Sequence, residues 1–326
     1  MAKRVTKFNA ESPSLEKIAA ATMSLQDGIE TVGPEARRTT QDRHIQDIEK
    51  SIQECARDVA VYLQSIGFKV PVEEIVSKLY VQYHTISTGA EWSQRELTQR
   101  QPDGTKTKSY VNVLQVPRHA FGDEEHFRRH EIGHATSREE LVETKSGSFS
   151  RSGLSSHADP EGFFTDSEKN VLFEALNEAI TDEVARRATT GQSTWTKMFF
   201  RLFFSEARAR EREMLSIICR NIAKFEQEKS EGSVTPDDVF REFVNAWLYG
   251  WSKSLKKRLL EAFGSDTLKI LAVLDPQTGA FTQGPESLGN SDTWKAVKTY
   301  FDLSTSPEKR VEAKKKILAT HEKRRK

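Results

Sequence analysis

Five consecutive residues, His130-Glu131-Ile132-Gly133-His134, constrain this chain more than any other part of its sequence. On a helix, histidines four residues apart lie one turn from each other on the same face, so one cation reaches both. Zinc binds imidazole nitrogens at about 2.0–2.1 Å, and a catalytic zinc site takes three protein ligands and keeps a fourth position open. The pattern therefore requires a helix here and a second element that returns with a third ligand. Glu131, beside the first histidine, is placed to take a proton from a water molecule attacking a carbonyl.

A second pair with the same spacing, Glu178 and Asp182, lies in Asn177-Glu178-Ala179-Ile180-Thr181-Asp182. On a helix these two carboxylates also share a face. One can ligate a metal while the other accepts a hydrogen bond from the non-metal nitrogen of a ligating histidine and fixes its tautomer. His126, Glu140 and His157 compete for the place of third ligand.

His130 to His134 followed by Asn177 to Asp182 resembles the gluzincin metallopeptidases, thermolysin-like zincins with HExxH and a downstream NExxxD, over about fifty residues of the chain. The resemblance implies His130, His134 and Glu178 as zinc ligands, Glu131 as general base and Asp182 as the partner that orients His130. It also implies a two-lobed fold, with a short sheet whose edge strand binds peptide and a helical second lobe. The insert between His134 and Glu178 is longer than in thermolysin. The His or Tyr with which the family steadies the oxyanion has no histidine counterpart, since none lies between His157 and His321. Tyr249, Arg208 and Arg210 are the candidates for that role. The metzincin pattern fits less well, because Ser137 stands where that family has a turn-forming Gly.

Elsewhere the patterning is mostly helical. Ile45, Ile48, Ile52, Cys55, Val59, Leu63 and Ile66 recur at helical spacing, and Gly67 follows as a stop. Val72 to Tyr80 reads as a shorter helix, Val81 to Ile86 as a strand, Ser87 to Lys108 as a loop with a Pro102-Asp103-Gly104 turn, and Tyr110 to Val116 as a strand ending at Pro117. That last strand is the expected edge for an extended substrate. The histidine helix is expected to start at Asp123, and Glu139 to Phe164 to run without helical period. Thr165 with Glu168 reads as a capping box opening the helix of Glu178. Further helices are expected at Trp195 to Phe225, Thr235 to Phe263, Asp266 to Leu274 and Asp292 to Leu303. Trp247, Tyr249 and Trp251 are expected to fall on one helix as core of the second lobe.

These elements, taken with the gluzincin resemblance, give the expectation of an α+β, zincin-like metallopeptidase fold, mostly helical with a small sheet in the N-terminal lobe. Residues 1–40 are expected as a flexible segment with a short helix near Leu15 to Leu25. Residues 41–275 form the catalytic domain, with lobes at about 41–138 and 139–275, and residues 276–326 a C-terminal extension with a basic tail. With 49 Lys and Arg against 48 Asp and Glu, the formal charge of +1 gives no global field for nucleic acid or membrane. The tail's Lys314 to Lys316 and Lys323 to Lys326 concentrate charge that RNA or another acidic partner would attract, but no aromatic residue follows Phe301 to stack on bases, so nucleic acid is not the expected partner. Cys55 and Cys219 form no CxxC pair, so a disulfide framework is not indicated. The apolar run Met198 to Phe204 is interrupted by Arg201 and far too short to span a membrane. The expectation is a cytoplasmic zinc-dependent peptidase acting on a peptide or protein substrate. Its rival is a regulatory or partner-binding protein that keeps a zincin fold without turnover.

Overall fold

The computed structural model describes residues 5–6, 30–32, 43–84, 91–100, 106–117, 124–144, 147–156, 172–189, 208–229, 233–276 and 287–324. The chain forms two compact units. One comprises Asn9–Thr136 and Val184–Thr196; the other comprises Met1–Phe8, Ser137–Glu183 and Lys197–Lys326. Helices and two small sheets make the fold α+β.

In the first unit, the expected apolar stripe builds helix α1, Arg43–Ser65. Ile45, Ile48, Ile52, Cys55, Val59 and Leu63 are all buried. The helix stops at Gly67, whose φ of 92° suits a residue without a Cβ, and the Phe68 amide donates back to the Leu63 carbonyl at 2.9 Å. Helix α2, Val72–Ser77, is shorter than expected. The amides of Lys78 and Leu79 turn back onto Ile75 and Val76, and strand β3, Tyr80–His84, begins at once.

Two expectations for this unit's sheet are corrected. The stretch Ser87 to Lys108 is not a plain loop, because it contains strand β4, Glu91–Arg100. Its residues lack apolar alternation, and an antiparallel backbone ladder from Glu91↔Gln115 to Arg100↔Lys106 holds it on strand β5, Lys106–Pro117. Pro102-Asp103-Gly104 lies outside the described residues. Nor is β5 an edge: β3 pairs with it in parallel on one side and β4 on the other, and strand β2, Glu30–Val32, completes the order β2-β3-β5-β4. Helix α3, Glu124–Thr136, packs on α1, α2, β4 and β5, and its Ile132 is fully buried, as are Val81, Val113 and Leu114 of the same unit's sheet. The expected cap Asp123 lies outside the described residues.

The second unit opens with strand β1, Val5–Thr6, which pairs antiparallel with β6, Glu139–Thr144. Strands β7, Gly147–Ser152, and β8, Ser155–Ser156, extend that sheet in the order β1-β6-β7-β8. Residues 1–40 therefore supply two short strands, β1 and β2, which are too brief to show a period in sequence. The helix expected near Leu15 to Leu25 lies outside the described residues. The stretch after Glu139, expected to run without helical period, opens with a polar hairpin made by backbone pairing.

Several helix limits of this unit are set by backbone geometry that side-chain patterning does not reveal. Helix α4, Glu174–Ala188, starts later than the Thr165 reading, since Phe173 has φ 61° and no helix runs through such a residue. Thr165 and Glu168 lie outside the described residues. Arg208, with φ 63°, likewise precedes helix α5, Ala209–Lys229, so no helix continues from Trp195 through it. The helix expected from Thr235 to Phe263 is two, α6, Pro236–Tyr249, and α7, Lys253–Phe263. Gly250 separates them at φ 93°, and the Arg138 guanidinium occupies the space where a Cβ would stand. Thr235 and Asp238 cap α6 reciprocally, and Ser252 caps α7. Trp247 is thus buried core, Tyr249 is 57% exposed, and Trp251 lies beyond the helix against Phe173.

Helices α8, Thr267–Val273, α9, Ser291–Phe301, and α10, Pro307–Arg324, complete the unit. The stretch 276–326, expected as an extension, supplies α9 and α10, which pack on α5, α8 and each other. Ala313 and Ile317 of the basic tail are buried, and Lys314 reaches Asp266 at 2.7 Å. Among the described residues no helix is long and apolar enough to cross a membrane.

Candidate metal centre

Helix α3 presents both histidines as required. His130 and His134 are buried, and their Nε2 atoms lie 3.1 Å apart with the rings edge to face. Two nitrogens bound to one tetrahedral ion at about 2.0–2.1 Å stand roughly 3.3 Å apart, so this pair fits an ion with little movement. At that distance one ring can donate to the other, in the direction the tautomers set. Glu131 is also buried, its carboxylate 4.0 Å from His130 Nε2. His126, the preceding turn's histidine, is half-buried beside the Phe127 ring.

A network of charge supports this helix from behind. Arg129, 1% exposed, donates to Asp58 Oδ2 of α1 from two nitrogens at 2.7 and 3.0 Å, and to Glu125 Oε2 at 3.2 Å. Arg128 donates to Ser51 Oγ at 2.6 Å. Cys55 lies under the same arginines, and burial pushes its thiol up to about 11 despite Arg129. Buried guanidinium groups are tolerated only when compensated in this way. None of these partners was legible as part of the site from sequence.

In the second unit, Glu178 and Asp182 share a face of α4 as expected, with side chains 12% and 5% exposed. Each takes an arginine at matching spacing: Arg208 Nη1 lies 2.8 Å from Glu178 Oε2, and Arg212 of α5 is paired with Asp182. Arg212 was missed, although its distance of four residues from Arg208 mirrors the carboxylate pair. Arg210, one of the oxyanion candidates, is used elsewhere, donating to the carbonyls of Leu288 and Gly289 at 2.7 Å.

Asn177 has a role its motif position did not reveal. Its Oδ1 accepts the Leu154 amide at 3.0 Å, at a turn where Gly153 has φ 58° and leaves no room for a Cβ against Asn177 and Trp247. Trp247 Nε1 donates to Thr181 Oγ1 at 3.1 Å, and Thr181 Oγ1 donates to the Asn177 carbonyl at 2.9 Å. The turn of α4 that carries Glu178 is thereby fixed to its own unit on the side of Asn177 and Thr181.

Of the sequence-derived ligand set, the first unit supplies the His130 and His134 nitrogens and the second unit the Glu178 carboxylate. Glu140 falls on strand β6 and His157 outside the described residues. No protein-family model, curated protein or solved structure matches the chain.

Proposed function

We propose that this chain is a zinc-dependent peptidase of gluzincin type, with the ion held by His130, His134 and Glu178 and with a zincin-like fold. The observation that carries the reading is the buried Nε2 pair of His130 and His134 at 3.1 Å on one helix, with Glu131 beside it. Two nitrogens and a carboxylate oxygen are a donor set that zinc accepts, and three ligands leave a position for water or substrate. A bound zinc supplies a Lewis acid for the substrate carbonyl and lowers the pKa of water.

The chain's own residues account for the remaining steps. Glu131 accepts the proton that water gives up on attacking the carbonyl and delivers it to the leaving nitrogen. Arg208 holds the Glu178 carboxylate in one orientation, and Arg212 does the same for Asp182. In this reading Asp182 in turn accepts from the His130 imidazole and fixes its tautomer. An extended peptide joins the outer strand of a sheet through main-chain hydrogen bonds; since β5 is interior, this reading assigns that role to β4, the longer of the outer strands β2 and β4.

Glu131 also separates this reading from a partner-binding protein without turnover, because a binding site has no use for a proton carrier beside its ligands. Glu131→Gln is expected to keep zinc and fold while cleavage of a peptide library falls by ~10²- to 10⁴-fold. Equal cleavage by variant and parent removes Glu131 from the role of base.

A further inference from the structure

A groove in the second unit, about 770 Å³ in volume, is made of none of the residues assigned above. One wall is α5, with Ile217, Arg220 and Lys224 at helical spacing; the other is α9, with Trp294, Lys295 and Lys298. Its volume lies within the ~300–1,000 Å³ range of ligand clefts. The two acids that also line it are already engaged. Glu213 takes the Lys298 ammonium at 2.9 Å. Asp302 accepts the Ser304 hydroxyl at 2.7 Å and amide at 2.9 Å, bonds that hold its carboxyl below the usual range.

The cations are less committed. Arg220 is exposed and donates to its own helix at the Ser216 carbonyl, 3.3 Å away. Lys295 is exposed and enters no ion pair among the described residues. Lys224 stands 3.9 Å from Glu228, a solvent-exposed pair that gives little net attraction. From α10, Lys316 approaches Asp292, two residues before Trp294, at 3.7 Å. The groove's four cations, Arg220, Lys224, Lys295 and Lys298, exceed its two carboxylates, Glu213 and Asp302, so its balance is positive, and Ile217 and Trp294 add apolar surface to the lining.

We propose that this groove docks an acidic peptide segment with a single apolar or aromatic anchor. Trp and Arg at a concave site are the residue types that dominate protein–protein hot spots, and charge complementarity sets the register of such contacts. A nucleic-acid strand is the poorer occupant. Phosphate backbones are held by roughly 6–10 cationic contacts, and strand binders offer successive aromatic platforms. This groove has one aromatic residue, and one of its cations is neutralised by Glu213.

The test uses the full-length chain with a chelator present, so that hydrolysis plays no part and the result is independent of the metal reading. Fluorescence anisotropy is measured with a labelled Glu-rich peptide containing one Trp, a Lys-rich counterpart of the same length and a labelled single-stranded oligonucleotide. The Glu-rich peptide is expected to bind more tightly than either control by at least about tenfold and to weaken as salt is added. Arg220→Glu combined with Lys295→Glu, both exposed positions, is expected to weaken it at least about tenfold, while Arg220→Lys with Lys295→Arg retains it. Equal binding by the parent and the charge-reversed chain overturns the proposal. So does tighter binding of the oligonucleotide, or no binding of the acidic peptide up to about 1 mM.

Discussion

Helices α3 and α6 are nearly equal in length and each buries a face, yet they bury opposite chemistry. Helix α6 hides Val239, Phe240, Phe243, Val244 and Trp247. Helix α3 hides Arg128, Arg129, His130, Glu131 and His134, with Ile132 as its main apolar contribution. Burial of apolar area stabilises a fold directly, whereas buried charge does so only after its desolvation is offset by partners. The difference teaches that α6 is held by its own packing, while α3 is held in place by Asp58 and Ser51 of α1, with Glu125 of α3 itself adding to the compensation of Arg129. Substitutions in α6 should therefore move stability, and substitutions around α3 should move metal affinity.

The largest stability effect is expected at Trp247. Trp247→Ala should cost about 3–5 kcal/mol in denaturant unfolding, by cavity formation and by loss of the bond to Thr181. Zinc affinity of the fraction that stays folded should fall far less than on loss of a ligand, because Asn177 still anchors the Glu178 turn through the Leu154 amide. Zinc affinity reduced as severely as by loss of a ligand, without loss of stability, would erase the contrast between the two helices.

A pH series sharpens the α3 side. The folded Cys55 thiol is raised to about 11 from 9.0, chiefly by burial. Folding therefore holds this proton more tightly than the unfolded chain does. The resulting contribution is fully present below pH 9.0 and is lost as pH rises toward about 11. Over that window the parent should lose about 2–3 kcal/mol more than Cys55→Ala. Parallel stability curves for the two chains would show that Cys55 ionises as freely folded as unfolded.

A smaller effect is expected at Asp58, which is partly exposed and shares Arg129 with Glu125. Asp58→Asn should cost about 1–3 kcal/mol, because it weakens the compensation of a buried guanidinium. It should also weaken zinc binding, since Arg129 adjoins His130. Stability lost with zinc affinity unchanged would confine Arg129 to a structural role.

The elements legible in the sequence are those whose side chains carry a long period. The stripe from Ile45 to Leu63 marked α1 nearly to the residue, and the i, i+4 pairs at His130/His134 and Glu178/Asp182 both fall on helices as expected. What was hidden is decided by the backbone. Strand β4 has no apolar alternation because a hydrogen-bonded ladder holds it, and its presence turns β5 from the expected edge into an interior strand. The break between α6 and α7 falls at Gly250, inside a helical pattern that runs on through Trp251. Phe173 and Arg208 hold positive φ values that their side chains give no reason to expect. The arginines behind the site were invisible for another reason: Asp58 and Arg129 are far apart in sequence, and only the packing of α1 on α3 joins them.

The central claim is that His130, His134 and Glu178 hold one metal ion, and metal analysis of the purified chain and its alanine variants tests it most directly. The account predicts a single zinc per chain in the parent, retained in His126→Ala and His157→Ala and lost at sub-micromolar free zinc in His130→Ala, His134→Ala and Glu178→Ala. A parent chain that takes up no zinc, or a folded Glu178→Ala that keeps full zinc while His126→Ala loses it, would contradict the ligand set and the peptidase reading built on it.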